Sequence, residues 1–126
     1  MFEQIDPRSA TPLYAQISNR LRVAIAAGEL QPGTGLPSVR QLAGQLRINP
    51  ATVVQAYRDL EAEGFVDMRQ GAGTFVREVD APRRVSERQA EARRLVRAMM
   101  AEAGRLGLAA GELRAAMAEE LQGARG

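Results

Sequence analysis

The sequence predicts a mainly α chain with one small β-hairpin: three short helices, the hairpin, and then a two-helix C-terminal segment. Three observations carry this expectation. Apolar residues recur four apart at Leu13, Ile17, Leu21 and Ile25, the spacing of one helix face. An Asn49-Pro50 pair interrupts helix-like spacing that resumes at once. Two β-favouring runs, FVDMR and TFVR, flank a glycine-rich QGAG.

After an irregular start, TPLYAQISNRLRVAIAAGEL reads as an amphipathic helix of roughly four turns, with Gly28 at its C-terminal stop. QPGTGLP is a loop by its turn residues. Ser38 and Gln41 have the spacing of a capping box, and Val39, Leu42, Ala43 and Leu46 continue into a short second helix. Asn49 and Pro50 then suit the N-cap and first turn of a third helix. An asparagine side chain accepts from free N–H groups there, and proline lacks only a donor that would have no partner. That helix should bury Val53, Ala56, Tyr57 and Leu60 and turn Ala51, Gln55 and Arg58 outward, with Thr52 and Val54 on the flanks. Gly64 should end it in a left-handed conformation. EVDAPRR, with Pro82 between charges, reads as a linker over 79–85. Ser86 and Gln89 repeat the capping-box spacing. Leu95, Val96, Met99 and Leu106 line one apolar stripe, and Leu113, Met117 and Leu121 another.

Composition narrows the chemistry. The chain has 126 residues, 45% of them hydrophobic, which suits one ordinary domain of about 100 residues plus an appendage. Cysteine and histidine are absent, so disulfides, thiolate or imidazole metal sites, cysteine nucleophiles and histidine general bases are excluded. We expect no enzyme and no cofactor. All 17 basic residues are arginine, yet the net charge is only +2. Residues 1–78 hold 8 arginines against 8 acids, and residues 79–126 hold 9 against 7. Any nucleic-acid argument therefore rests on where the arginines sit. With no signal segment and no apolar run of membrane-spanning length, a cytoplasmic protein is expected.

Two helices joined by a tight turn from Arg47 to Asn49, followed by a hairpin, make a winged helix-turn-helix. An α-helix fits the major groove of DNA, where each base pair shows its own pattern of donors, acceptors and methyl groups. Thr52 and Gln55 can bond base edges, and Ala51 or Val54 can touch a thymine methyl. Arg40, Arg47, Arg58 and Arg69 suit phosphate or guanine. The same residues leave plainer readings open. Capped amphipathic helices often serve only as packing, Ser38 is first a cap, and Arg58 could pair with Asp59 or Glu61 on a solvated face. An alternative is a protein-interaction module using the exposed third-helix face. The C-terminal helices span about 45 residues, a length at which a chain seldom folds without a partner surface.

LPSVRQLAGQLRINPATVVQAYRDLEAEGFVDMRQGAGTFV resembles the N-terminal winged-helix domain of the GntR family of bacterial transcription regulators, with similarity from about Leu13 to Val76. The short remainder resembles the YtrA-like branch, which carries only a helical C-terminal dimerisation segment. Other branches carry large effector domains, and one carries an aminotransferase-like domain that needs a lysine. This chain has no lysine. The resemblance implies that Arg40 meets a phosphate or guanine, that Asn49, Ala51 and Thr52 sit where the recognition helix enters the groove, and that Gln70 and Gly71 form the wing tip at the minor groove. Pro50 and Val54 depart from the polar residues many relatives place there, which shifts base readout toward Gln55 and Arg58.

The expected organisation is thus a DNA-binding domain over 1–78, a linker over 79–85 and a dimerisation segment over 86–126. As a homodimer it would set two recognition helices about 34 Å apart on an inverted repeat of double-stranded DNA, as a repressor. Few polar groups converge on the C-terminal stripes, so no dedicated small-molecule effector pocket, and no metal, is expected.

Overall fold

The computed structural model describes residues 1–125, the side chain of Arg125 excepted. The elements are α1 (Leu13–Ala26), α2 (Val39–Leu46), α3 (Pro50–Ala62), β1 (Val66–Arg69), β2 (Gly73–Val76), α4 (Ala81–Arg105) and α5 (Ala110–Arg125). Two compact units result, one from Met1 to Arg88 and one from Gln89 onward.

In the first unit, α1, α2 and α3 close around Ile17, Leu21, Leu42, Val53, Tyr57 and Leu60, all essentially without solvent exposure. The four α3 residues expected inside are the four that are buried. Ser38 caps α2 through the reciprocal bonds its spacing predicts: its Oγ accepts from the Gln41 amide at 3.1 Å, and Gln41 Oε1 accepts from the Ser38 amide at 2.9 Å. Asn49 Oδ1 accepts from the Ala51 amide at 2.9 Å, and Pro50 opens α3. The N-terminal twelve residues are tied to α1 by Gln16, whose side chain bonds the backbone of Asp6 and Thr11 at 2.8 Å.

α2, α3 and α4 all end the same way. A left-handed residue turns the chain, and the next amide reaches back five residues: Ile48 to Ala43 at 3.0 Å, Phe65 to Leu60 at 2.8 Å, Leu108 to Ala103 at 2.9 Å. Gly64 and Gly107 supply the left-handed residue for α3 and α4, and Arg47 supplies it for α2.

β1 and β2 pair antiparallel, with Val66 opposite Val76 and Arg69 opposite Gly73. Their inner side chains cover the open end of the helical core. The stretch read as a plain loop, QPGTGLP, contributes a third edge to this hairpin. Leu36 N donates to Thr74 O and Gly33 N to Val76 O, both at 2.8 Å, and Val76 N donates to Thr34 O at 2.9 Å. Its glycines hid that pairing, because glycine is depleted in strands.

Residues 79–85 are not the linker the sequence suggested. α4 begins at Ala81, not Ser86, because Asp80 Oδ1 accepts from the Arg83 amide at 3.0 Å and Pro82 lies in the first turn, where a helix needs no N–H. Val79 is buried, and the Arg83 guanidinium lies 4.4 Å from the centre of the Phe65 ring. The capping-box spacing of Ser86 and Gln89 therefore falls inside a helix.

In the second unit, Ala103 is the one buried residue among those described. Leu95, Val96, Leu106 and Leu121 are exposed, while Met99, Leu113 and Met117 are half-buried. No helix among the described residues is long and apolar enough to cross a membrane.

Tyr57 donates its hydroxyl to the Pro37 carbonyl at 2.6 Å, and burial pushes its ionisation up to about 12. The native state holds the phenolic proton more tightly than the unfolded chain, whose tyrosine ionises near 10. Stability linked to this group is therefore complete below about pH 10 and is lost as pH rises toward 12, by roughly 2–3 kcal/mol. Tyr57→Phe should cost about 1 kcal/mol at neutral pH and flatten that alkaline loss. Urea unfolding at pH 8 and pH 11.5 measures both effects, with no lysine or cysteine to confuse the titration.

Candidate nucleic-acid interface

The outward face of α3 follows from its buried one. With Val53, Ala56, Tyr57 and Leu60 turned inward, Ala51, Gln55 and Arg58 are exposed one turn apart, and Thr52 and Val54 lie half-buried beside them. Ser38 at the N-cap of α2, Arg40 on that helix, and Arg47 and Asn49 in the turn are exposed as well.

Charge pairing separates the arginines of this unit. Arg22 on α1 makes a bidentate pair with Glu63 at 2.8 and 3.0 Å, and Arg20 meets Glu29 at 3.3 Å. Among the described residues, the guanidinium groups of Arg40, Arg47 and Arg58 have neither ion pair nor hydrogen bond. The carboxylates that could have quenched Arg58 are engaged elsewhere: Asp59 accepts from Gln55 Nε2 at 2.9 Å, and Glu61 accepts from the Met68 amide at 2.8 Å. The solvated-pair reading of Arg58 therefore does not describe this fold. The same Asp59 contact occupies one donor of Gln55 and leaves the second N–H and Oε1 of that amide for a base edge.

The hairpin tip holds Gln70, Gly71 and Ala72 in solvent, with left-handed Gly71 and Gly73 making the turn. Arg69 is stacked 4.9 Å over the Phe75 ring. Sequence reasoning passed over Asp67, Phe75 and Arg77. Strand alternation places all three with Arg69 on the outer face of the hairpin, and period-two spacing could have found them.

The family described as "Bacterial regulatory proteins, gntR family" matches residues 13–76. The transcriptional repressor YtrA of Bacillus subtilis is 47% identical over 75 residues, covering 60% of this chain and 58% of that protein. A GntR family transcriptional regulator from Listeria monocytogenes has a similar solved structure, with a TM-score of 0.67 at 29% identity, covering 88% of this chain and 96% of that one. The DNA-binding domain of AraR, solved in complex with its operator ORR3, gives a TM-score of 0.51 at 30% identity over 56% of this chain and 86% of that one. The matched stretch spans 58–64% of the length of three curated relatives.

Arg47 is the one described residue other than glycine with positive φ, at 56°. A side chain there costs about 1–2 kcal/mol. Arg47→Gly should raise stability by about 0.5–1 kcal/mol, the relief exceeding the entropic cost of glycine. Denaturant midpoints of the two proteins check this. An equal or lower midpoint would mean that the arginine side chain stabilises the turn.

Proposed function

The chain belongs to the GntR family of bacterial regulatory proteins, and on that premise we propose that it is a DNA-binding transcriptional regulator, a repressor that occupies an inverted-repeat operator as a homodimer. The observation that carries this reading is the unpaired state of every arginine in the helix-turn-helix, Arg40, Arg47 and Arg58, beside the exposed face of α3. A guanidinium with no partner on its own protein is available for bidentate bonds to phosphate or guanine, and an exposed helix face has the width of a major groove. Ala51 and Thr52 sit at the start of α3, where recognition helices meet base edges. Gln70 and Gly71 at the hairpin tip suit the minor groove. The operator complex of the AraR domain supports the same mode of binding.

Dimerisation is supported by apolar side chains left in water. Leu95 on α4, Leu106 in the turn just after it and Leu121 on α5 are 56%, 67% and 59% exposed, and Val96, Met99, Leu113 and Met117 lie on the same two helices. A second copy meeting these stripes would remove them from solvent. Joining two heads makes the second half-site contact intramolecular and raises operator affinity without new contacts on either head.

Selection from random duplexes with the full chain should return an inverted repeat, and a protein that retards no duplex would end the proposal. On the selected site, Arg40→Ala should cost about 1–3 kcal/mol if it reads a base, or lower the salt slope by about one if it meets phosphate. Fluorescence anisotropy at several salt concentrations separates these. The double variant Leu95→Asp, Met99→Asp should sediment as a monomer, because two carboxylates would be buried without partners in the proposed contact.

A further inference from the structure

The outer face of the hairpin holds a charge arrangement that the recognition helix does not use. Alternation along β1 and β2 sends Val66, Thr74 and Val76 inward and leaves Asp67, Arg69 and Phe75 on the outer side, with Arg77 continuing that side just past β2. Asp67 lies directly across from Phe75. The Phe75 ring stands against two glycines: a Cβ on Gly35 or Gly73 would fall 3.7 or 3.6 Å from it, so bare backbone supports the ring from the adjoining Gly33–Leu36 edge and from its own strand. Arg69 rests on this ring, which limits where its guanidinium can go. The Asp67 carboxylate stands 3.8 Å from Arg69 Nη2 and 3.8 Å from Arg77 Nε. Both distances are too long for a hydrogen bond, and all three side chains are at least 44% exposed, so these are weak, exchangeable pairs.

We infer that Arg69 and Arg77 form a clamp for a backbone phosphate of duplex DNA, and that Asp67 is the counterion that holds the clamp in the free protein and limits its affinity. The inference rests on the DNA-binding function proposed above, adds Arg77 to the binding surface, and gives Asp67 a role opposite in sign to a contact. A phosphate offers oxygens that accept directed N–H bonds from both guanidinium groups, which one carboxylate at 3.8 Å does not achieve. Once the phosphate enters, Asp67 becomes a like charge beside it. Because phosphate carries no sequence information, the effect is felt on any duplex, and Asp67 sets how firmly the protein holds DNA outside its operator.

The test titrates the full chain against a short fluorescent duplex of scrambled sequence over a range of salt concentrations. Asp67→Asn, and Asp67→Ser as an independent replacement, should bind severalfold tighter than the natural protein. Arg77→Ala should bind severalfold more weakly and lose about one unit of the slope of log affinity against log salt. The gain from Asp67→Asn should shrink when Arg77→Ala is also present, because the two sites share one interaction. Unchanged affinity in both Asp67 variants, or an unchanged slope in Arg77→Ala, overturns the clamp while leaving DNA binding intact. A natural protein that binds no duplex even at low salt overturns the DNA-binding reading, and the clamp with it.

Discussion

The burial of Tyr57, with its hydroxyl bonded to the Pro37 carbonyl, is the constraint on which the arrangement of the first unit depends. Tyr57 lies in the middle of α3 and Pro37 immediately precedes the α2 cap, so this contact and the packing of the ring together set the two helices of the motif against each other. The bond also satisfies a polar group in a core where an unpaired hydroxyl would be costly. The ring below it fills the space between helices, in the company of Ile17, Leu42 and Val53. With the inner face of α3 settled this way, its outer face is settled too, since helical geometry leaves no freedom to rotate one without the other.

Polar side chains around this core are spent selectively. Glu61 joins α3 to β1, Glu63 joins it to Arg22, and Asp59 holds Gln55. Every acid of α3 and its C-cap is thus committed to the scaffold or to Gln55, and none reaches Arg58. The strained backbone of Arg47 belongs to the same pattern. At the matching position α3 and α4 use glycine. A charged side chain held there at an energetic cost is the kind of feature found where function, not folding, selects the residue.

Much of this was legible in the sequence. Periodicity identified the buried side of α3, and capping chemistry identified Ser38, Asn49 and Pro50, because both depend on residues close in the chain. What escaped depends on distant partners. The pairing of Gly33–Leu36 with β2 needs a strand forty residues away. The start of α4 at Ala81 was masked by Pro82, which can signal either a linker or a first helical turn, and the choice was made by Asp80. The engagement of Gln55 by Asp59 was within reach of i, i+4 reasoning and was overlooked. At the hairpin, period-two spacing puts Asp67 with Arg69 on one strand and Phe75 with Arg77 along the other, and the pairing of the two strands brings these residues together.

The early start of α4 changes where the first unit can be cut. Val79 is part of its core, Asp80 caps the helix and Arg83 covers Phe65, so a fragment ending at residue 78 would expose that ring and the end of the hairpin to water. An excised head that keeps its own packing runs to Arg88, through the whole stretch the sequence alone assigns to a linker and three residues into the segment beyond it.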